Sequence, residues 1–390
     1  MKFIKGVDLS TLYELENCHA VYYDHGVPRD VLDILKEREF DTVRIRIWND
    51  PYSEAGESYG AGENSVQNSL YIAKKVTDAG FKVLLDFHYS DFWTDPGKQF
   101  KPKAWRNYSV EELQQAVEAF TYETVRQYLA EGVAVTMVQI GNEISNGMLW
   151  PQGQIADREA LSSYENVTRF VDAGLRGLKR ADEEKNRALK DNEGKTMEHI
   201  LSMIHLDQGG DNHLYRNWFD YYMALSTESF DLIGLSYYPF WHGDLRSLEE
   251  NMADIATRYH KDLIVAEVSM GFSMEDYRSR EGLAKEEAKG YATRQELVEQ
   301  IEYPMTPEGQ RDFVKDFLER ITRIPENRGK GFFWWEPAWI PVKGSGWATP
   351  ASLEYLEDPG PVGNEWANQA LFDYDGNPLP AMEYIREFKR

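Results

Sequence analysis

The chain has 390 residues, of which 42% are hydrophobic and 13% aromatic, enough to bury a large core. Its formal net charge of -23 at pH 7 argues against nucleic acid and anionic membranes as partners. The single cysteine, Cys18, permits neither an internal disulfide nor a cysteine-based metal site. No apolar run is long enough to span a membrane, and residues 1–8 lack the apolar core of a signal peptide. We therefore expect a cytoplasmic monomer, or a secreted protein if a leader has been removed.

Segments typical of strands and helices alternate along the chain about eight times. The predicted strands are residues 3–8, 42–48, 82–88, 133–140, 199–205, 230–238, 263–269 and 331–335. Strands that alternate with helices indicate a parallel sheet, and eight such units favour a single α/β domain over residues 1–390, a (β/α)8 TIM barrel. A doubly wound open sheet is the alternative, but no glycine-rich phosphate turn follows the first strand.

The helices are predicted from apolar periodicity, capping residues and breakers. They cover residues 65–79, 109–130, 158–182 and 381–388, with further helices beginning after Pro28, near His213, at Ser247 and at Thr306. Capping boxes are predicted at Ser109-Val110-Glu111-Glu112 and at Ser247-Leu248-Glu249-Glu250. The charged segment 182–195 is interpreted as a solvated surface connection. Extended loops are expected after strands three, seven and eight, including a long polar loop over residues 271–305.

Two glutamates end hydrophobic strands in similar contexts. Glu143 follows the fourth strand, and Glu267 lies near the end of the seventh. A buried carboxylate is rare unless it is paired or functional, and two carboxylates at a barrel mouth are suited to cutting glycosidic bonds. Other polar and aromatic residues stand at the same strand ends: Asp8, Arg46, Trp48, Asn49, His88, Tyr89, Asn142, His205, Asp207, Tyr237, Tyr238, Trp241, His242, Trp335 and Glu336.

These residues also have structural interpretations. The two glutamates could be buried ion-pair partners of Arg44 or Arg46, and we expect Arg46 to pair with a carboxylate in either case. His88 and His205 could bind a metal with a carboxylate, but neither His-x-His nor HExxH spacing is present. A Ser/His/Asp triad lacks its G-x-S-x-G turn. The tryptophans of the strand-end loops could be ordinary packing, but their crowding favours stacking on sugars; they are Trp93, Trp334, Trp335, Trp339 and Trp347.

Several longer runs resemble glycoside hydrolase family 53, the endo-β-1,4-galactanases among the retaining glycosidases of clan A. The runs are GVD (6–8), VRIRIWN (43–49), DFHYSDFWTDPGKQ (86–99), QIGNEISNGMLWP (139–151), IHLD (204–207), SYYPF (236–240), FWWEPAWIP (333–341), GWAT (346–349) and NQALF (368–372). The resemblance covers nearly the whole chain. It implies a (β/α)8 barrel that cleaves β-1,4-galactan in type I arabinogalactan and pectin, or galacto-oligosaccharides, with retention and without a cofactor.

The resemblance also implies roles for individual residues. Glu143 would be the acid/base and Glu267 the nucleophile, with Arg46 and Tyr238 stabilising the nucleophile's anion and Asn142 holding the sugar 2-hydroxyl. Tyr238 is preferred to Tyr237 because it directly precedes Pro239. The complete predicted substrate-binding set is Asp8, Arg46, Trp48, His88, Trp93, Asn142, His205, Tyr238, Trp335 and Trp347.

Two departures from the family pattern concern the loops. Bacterial members often carry an aspartate-rich calcium loop after strand seven, but residues 270–276 here read MGFSMED, so no metal is predicted. The stretch VKGS (342–345) is short, and we expect fewer distal subsites and efficient cutting of short oligosaccharides. Another clan A β-glycanase, such as a mannanase or glucanase, would share the same glutamate pair. A non-catalytic sugar-binding barrel is a third reading, against which the presence of both glutamates argues.

Overall fold

Eight parallel strands close into a barrel in the computed structural model, which describes residues 1–194, 197–282, 295–356 and 362–390. The strands are β1 (Ile4–Asp8), β2 (Thr42–Ile47), β3 (Lys82–Phe87), β4 (Val135–Ile140), β5 (Leu201–Leu206), β6 (Leu232–Tyr237), β7 (Asp262–Val268) and β8 (Gly329–Trp334). Each strand pairs with its neighbours in chain order, and β8 pairs with β1. Closure confirms the predicted barrel and excludes the open sheet.

Helices follow the strands and pack around the barrel. They are α1 (Val31–Glu37), α2 (Val66–Asp78), α3 (Val110–Ala130), α4 (Glu165–Glu193), α5 (Asn212–Leu225), α6 (Leu245–Tyr259), α7 (Pro307–Thr322) and α8 (Pro380–Glu387). The capping box of α3 is confirmed, because Ser109 and Glu112 each accept from the other's backbone N–H. Thr306 caps α7, with Pro307 at its first position as predicted.

Two helix boundaries were predicted wrongly. The charged segment after Asp182 continues α4 as far as Glu193 and is not a connection; the helix ends at Gly194, whose φ of +66° is left-handed. Lys195 lies outside the described residues. The predicted N-terminus of α4 is also wrong, because the helix begins at Glu165 instead of near Arg158.

The second predicted capping box is absent. Helix α6 is capped by Asp244, whose carboxylate accepts from the backbone N–H and the hydroxyl of Ser247, both at 2.7 Å. Asp244 and Ser247 are both residue types that cap helices, and they lie three positions apart. Asp244 is the cap in the structure, and Ser247 donates to it from the first turn of the helix.

The core has two layers, one inside the barrel and one between the strands and helices. The lower interior is filled by Ile4, Leu84, Met137, Met203, Leu232, Ile264, Ala266 and Phe333. Gly6 lets β1 approach β8, since a Cβ there would lie 2.3 Å from the Phe333 ring. The filled interior leaves the carboxyl ends of the strands as the open end of the barrel.

Long loops cover the carboxyl end of the barrel. The predicted extended loops after β3, β7 and β8 span residues 88–109, 269–306 and 335–379, which include residues outside the described ranges. The loops after β1 (9–30) and β4 (141–164) are also long, and each contains a short hairpin. Among the described residues, no helix has the length and apolar character needed to cross a bilayer.

Candidate active site

A cavity of about 350 Å³ lies at the carboxyl ends of the strands. Its lining is Arg44, Arg46, His88, Trp93, Thr94, Asp95, Pro96, Asn142, Glu143, Asp207, Gln208, Tyr238, Trp241, His242, Glu267, Trp335, Trp347 and Trp366. A larger cavity of about 640 Å³ lies at the opposite end of the barrel, but both predicted catalytic glutamates line the smaller one. Most of the predicted site residues are therefore brought together, in one place.

Three predicted site residues are buried outside the cavity lining and contact residues that do line it. Asp8 forms a salt bridge with Arg44 at 2.8 Å. The indole N–H of Trp48 donates to Nδ1 of His88 at 3.2 Å. His205 Nδ1 accepts from the backbone N–H of Glu143 at 3.4 Å. The structure thus places Asp8, Trp48 and His205 as supports for the lining.

The two glutamates face one another in the cavity, and both are nearly buried. Glu143 is 9% exposed and Glu267 6%. One carboxylate oxygen of each, together with a ring nitrogen of His205, forms a group whose atoms all lie within 4.8 Å of one another. Retaining glycosidases hold their carboxyls about 5–5.5 Å apart, whereas inverting enzymes need about 6.5–9.5 Å. The geometry therefore fits direct attack by one of the carboxylates.

Glu267 is held by a cation and a hydroxyl. Arg44 Nη2 lies 2.9 Å from Glu267 Oε1, and the Tyr238 hydroxyl donates to Oε2 at 2.7 Å. The hydroxyl of Tyr237 instead donates to the carbonyl of Gly243. The predicted hydrogen bond from Tyr238 is thus present, and both contacts favour the ionised form of Glu267.

The predicted ion pair between Arg46 and Glu267 is wrong, because Arg44 occupies that place. Arg46 instead pairs with Glu336 at 2.6 Å, which confirms only that it has a carboxylate partner. Residues 44 and 46 point to the same face of β2, because side chains alternate along a strand. Arg44 also lies 2.8 Å from Asp8 and 2.9 Å from Asp86, so it is the shared cation of the barrel interior.

The two carboxyls differ in proton affinity. Burial raises the pKa of Glu143 well above its ordinary value, and the negative charges of Glu267 and Asp207 raise it further. Burial also raises the pKa of Glu267, to about 7, although Arg44 and Tyr238 oppose this effect. Because Arg44 and Tyr238 stabilise the anion of Glu267 and the neighbouring negative charges act on Glu143, the arrangement favours a proton on Glu143.

Two neutral histidines fix the polar groups around the glutamates. Burial lowers the pKa of His88 and lowers that of His205 well below its ordinary value. His205 Nε2 lies 2.9 Å from the Ser236 hydroxyl, which donates to Glu143 Oε1 at 2.6 Å. The hydrogen of His205 therefore sits on Nε2 and donates to Ser236. The hydrogen bonds from His205 through Ser236 fix the orientation of the Glu143 carboxyl.

Asn142 lies beside both glutamates. Its side-chain oxygen accepts from Arg44 at 2.9 Å, and its Nδ2 donates to the carbonyl of Thr94 at 3.0 Å. An amide nitrogen has two hydrogens, so the second is available to a ligand in the cavity.

Indole rings form most of the apolar wall of the cavity. Trp347 stacks on Trp93 with ring centroids 4.5 Å apart and 17° between the planes. Trp335 packs edge-on against Trp366 at 4.9 Å. Trp241, at the rim, is 46% exposed although it is large and apolar. Such rings match the CH-rich faces of pyranoses.

Some lining residues were missing from the predicted site set. Arg44 was considered only as a structural ion-pair partner, and Asp207, Trp241 and His242 were noted at strand ends without a role. Trp366 was not singled out. It lies in the loop after β8, between the family-like runs 346–349 and 368–372, and that position was the only signal that could have found it.

Comparison with known proteins identifies the family. The model of glycosyl hydrolase family 53 matches residues 4–385. An uncharacterized protein in the bgaB 5' region of Niallia circulans is 36% identical, over 98% of this chain and 93% of its own. The endo-beta-1,4-galactanase of Bacillus subtilis (strain 168) is 33% identical, over 98% of this chain and 85% of its own. A solved structure, the Ignisphaera aggregans GH53 catalytic domain, gives a TM-score of 0.85 at 34% identity, covering 99% of this chain and 96% of that one. The chain belongs to glycosyl hydrolase family 53.

Proposed function

We propose that this protein is a retaining endo-β-1,4-galactanase that hydrolyses β-1,4-galactosidic bonds in type I arabinogalactan, pectic galactan or galacto-oligosaccharides. The observation that carries the proposal is the facing pair of buried glutamates, of which Glu267 is paired with Arg44 and Glu143 has no cation within 4.0 Å among the described residues. Family membership and relatives named as galactanases support the choice of substrate. We propose further that the enzyme acts as a monomer and needs neither metal nor cofactor.

The first chemical step makes a covalent intermediate. Glu267 attacks the anomeric carbon, while Glu143 gives its proton to the glycosidic oxygen of the departing sugar. The Arg44 and Tyr238 contacts keep Glu267 ionised and aimed before attack. Burial and like charge keep the proton on Glu143 until the leaving oxygen takes it.

The second step releases the product. Glu143, now a carboxylate, removes a proton from water, and the water oxygen attacks the anomeric carbon and displaces Glu267. Two inversions give net retention. Arg44 and Tyr238 again stabilise Glu267 as it leaves with a negative charge.

The remaining cavity residues bind and orient the sugar. Asn142 is proposed to donate its free amide hydrogen to the 2-hydroxyl, a contact that strengthens in the transition state. Trp93, Trp335 and Trp347 are proposed as sugar platforms. Arg46 holds this wall in place, since its guanidinium carbon lies 4.3 Å from the centroid of the Trp93 ring. His88 and Trp48 pack against Trp93, with ring centroids 6.5 and 5.2 Å from its own, whereas Asp8 and His205 support the polar lining through Arg44 and Glu143.

The size of the cavity supports short substrates. About 350 Å³ is at the lower end of small-ligand pockets, which span about 300–1,000 Å³. Most of the binding energy should therefore come from the few sugar rings nearest the scissile bond, so the enzyme should cut short galacto-oligosaccharides efficiently.

A parallel substrate test decides the assignment. Potato galactan, mannan, xylan and carboxymethyl cellulose are incubated with the enzyme, and reducing ends are counted. Galactan should be hydrolysed fastest, and NMR should show the β-anomer first. Faster hydrolysis of another polymer would reassign the enzyme to a different β-glycanase activity, and hydrolysis of none would favour a sugar-binding barrel.

Azide rescue tests the roles of the two glutamates. Glu267→Ala should be inactive and should regain turnover with azide, which fills the space of the lost carboxylate and gives an α-galactosyl azide. Glu143→Ala is the matched control, and its rescue should give the β-azide. The reverse pattern of products would exchange the two roles.

A further inference from the structure

Asp207 stands beside Glu143 at the mouth of the barrel. Strands β4 and β5 are neighbours, paired in register at Val138 with Ser202 and at Gln139 with Met203. Beyond the strand ends, Glu143 lies in a left-handed turn after β4 and Asp207 directly follows β5, and both side chains line the same cavity. The two residues are therefore acidic neighbours, and the charge of Asp207 acts on Glu143.

Hydrogen bonds tie the two strand ends together. The backbone N–H of Asp207 donates to the Ser145 hydroxyl at 3.1 Å, and the backbone N–H of Glu143 donates to His205 Nδ1 at 3.4 Å. Each contact joins the loop after β4 to the end of β5. The backbones at Glu143 and Asp207 are therefore held in place relative to one another.

No cation neutralises the Asp207 carboxyl within the part of the chain that the structure describes. It is 5% exposed, its Oδ1 is buried without a hydrogen-bond partner, and no ion pair within 4.0 Å includes it. Burial raises the pKa of Asp207 itself, and hydrogen bonds with Ser145 and Gln208 and the more distant charge of Arg158 oppose this effect. Asp207 and Glu143 are thus two buried acids at one site, and once Asp207 is ionised its charge, which no ion pair among the described residues neutralises, acts on Glu143.

The groups that face Glu143 come from several elements, among them the neutral His205 of β5, whose ring nitrogen lies within 4.8 Å of a Glu143 oxygen, and the Tyr238 phenol just after β6. Glu267 of β7, Asp207 after β5 and Asp95 in the loop after β3 are acidic, whereas Ser236 of β6 is a neutral donor. The charge of Glu267 is met by Arg44, and that of Asp95 by Lys98. Asp207 is thus the acidic neighbour whose charge acts on Glu143 without a cation of its own.

We propose that Asp207 is a positioning residue for the general acid, whose carboxylate holds the catalytic proton on Glu143 and helps Glu143 recover it after each turnover. Ionising both of two adjacent carboxyls is unfavourable, so the negative charge of one raises the pKa of the other and keeps the proton there. The inference rests on the proposed function, in which Glu143 is the acid. Asp207 would then set the pH above which activity falls.

The test is the pH profile of kcat/KM on galactan for Asp207→Asn. Loss of the neighbouring charge should move the alkaline limb down by about one pH unit, which is about a tenfold loss at high pH. Activity on the acid side should stay close to wild type. Asp207→Glu should restore the limb, and the matched control Asp95→Asn should shift it less, because Lys98 already neutralises Asp95.

A second substrate separates acid catalysis from binding. A dinitrophenyl β-galactobioside has a leaving group that needs no proton, so its alkaline limb should not move in Asp207→Asn. An unmoved limb on galactan in a folded Asp207→Asn would overturn the inference, as would an equal loss at every pH or an equal shift in Asp95→Asn. If wild type prefers another β-glycan, the galactan assignment fails, while the same profile on that glycan still tests Asp207.

Discussion

Tyr238→Phe isolates one contact of Glu267, the proposed nucleophile. The substitution removes the hydroxyl that donates to Glu267 Oε2 at 2.7 Å and keeps the ring that packs beside Trp366. Arg44 still binds the other oxygen of Glu267. The variant therefore weakens the stabilisation of the carboxylate without removing the salt bridge.

The magnitude follows from the charge of the acceptor. A hydrogen bond to a charged group contributes about 1.5–3 kcal/mol, and 1.36 kcal/mol corresponds to one pKa unit or tenfold in rate. The pKa of Glu267 should therefore rise by about one to two units. The acid limb of kcat/KM should move up by the same amount, and kcat should fall about 10- to 100-fold, because the hydroxyl also stabilises Glu267 as it departs.

Tyr237→Phe is the matched control. It makes the same change one residue earlier, where the hydroxyl donates to the carbonyl of Gly243 at 2.9 Å. Its activity and pH profile should match those of wild type. Activity of Tyr238→Phe within twofold of wild type, or an equal loss in Tyr237→Phe, would refute the argument that the hydroxyl stabilises Glu267.

Three further predictions concern the buried charges and the loops. Arg44→Lys should lower kcat about 10- to 100-fold, because one ammonium cannot replace the fork that binds Asp8, Asp86 and Glu267; Arg46→Lys leaves those pairs intact and should cost less. Burial raises the pKa of Glu281 to about 8, so the fold loses stability as pH rises from the ordinary carboxyl pKa through that value; Glu281→Gln should therefore raise Tm at pH 9 and leave it unchanged near pH 4, and a lower Tm at pH 9 would contradict this. Exhaustive chelation with EDTA should leave activity and Tm unchanged, because residues 270–276 lack an acidic repeat; a loss restored by calcium would disprove it.

The barrel could be predicted because each strand has a recognisable local sequence pattern. All six residues of β2 and of β8 are buried, and such runs between amphipathic helices define a parallel barrel. The end of α4 could not be predicted in this way. Residues 183–191 are mostly charged or polar and are exposed or partly exposed, and a solvated helix and a solvated loop have similar composition. Only Gly194 marks the stop, by its left-handed φ of +66°.

The choice between Arg44 and Arg46 shows where local sequence stops being informative. Both side chains point to the same face of β2, so the alternation along the strand cannot show which arginine pairs with Glu267. The partner of each arginine depends on its position along the barrel axis. Arg44 is level with Asp8 of β1 and reaches Glu267, whereas Arg46, one layer nearer the loops, meets Glu336 just beyond β8. That position depends on the stagger of the strands, which is a property of the closed sheet.

The different roles proposed for the two glutamates depend on the same closed sheet. Both are carboxyls of one residue type at strand ends, and both are nearly buried, so burial does not tell the acid from the nucleophile, and in the sequence only the family resemblance assigns the two roles. The barrel distinguishes them through their neighbours. It places a guanidinium and a phenol against Glu267, and the like charges of Glu267 and Asp207 act on Glu143, where the Ser236 hydroxyl opposes their effect. Because the first set stabilises an anion and the like charges favour a proton, one ionisation can leave Glu267 ready to attack while Glu143 stays ready to protonate.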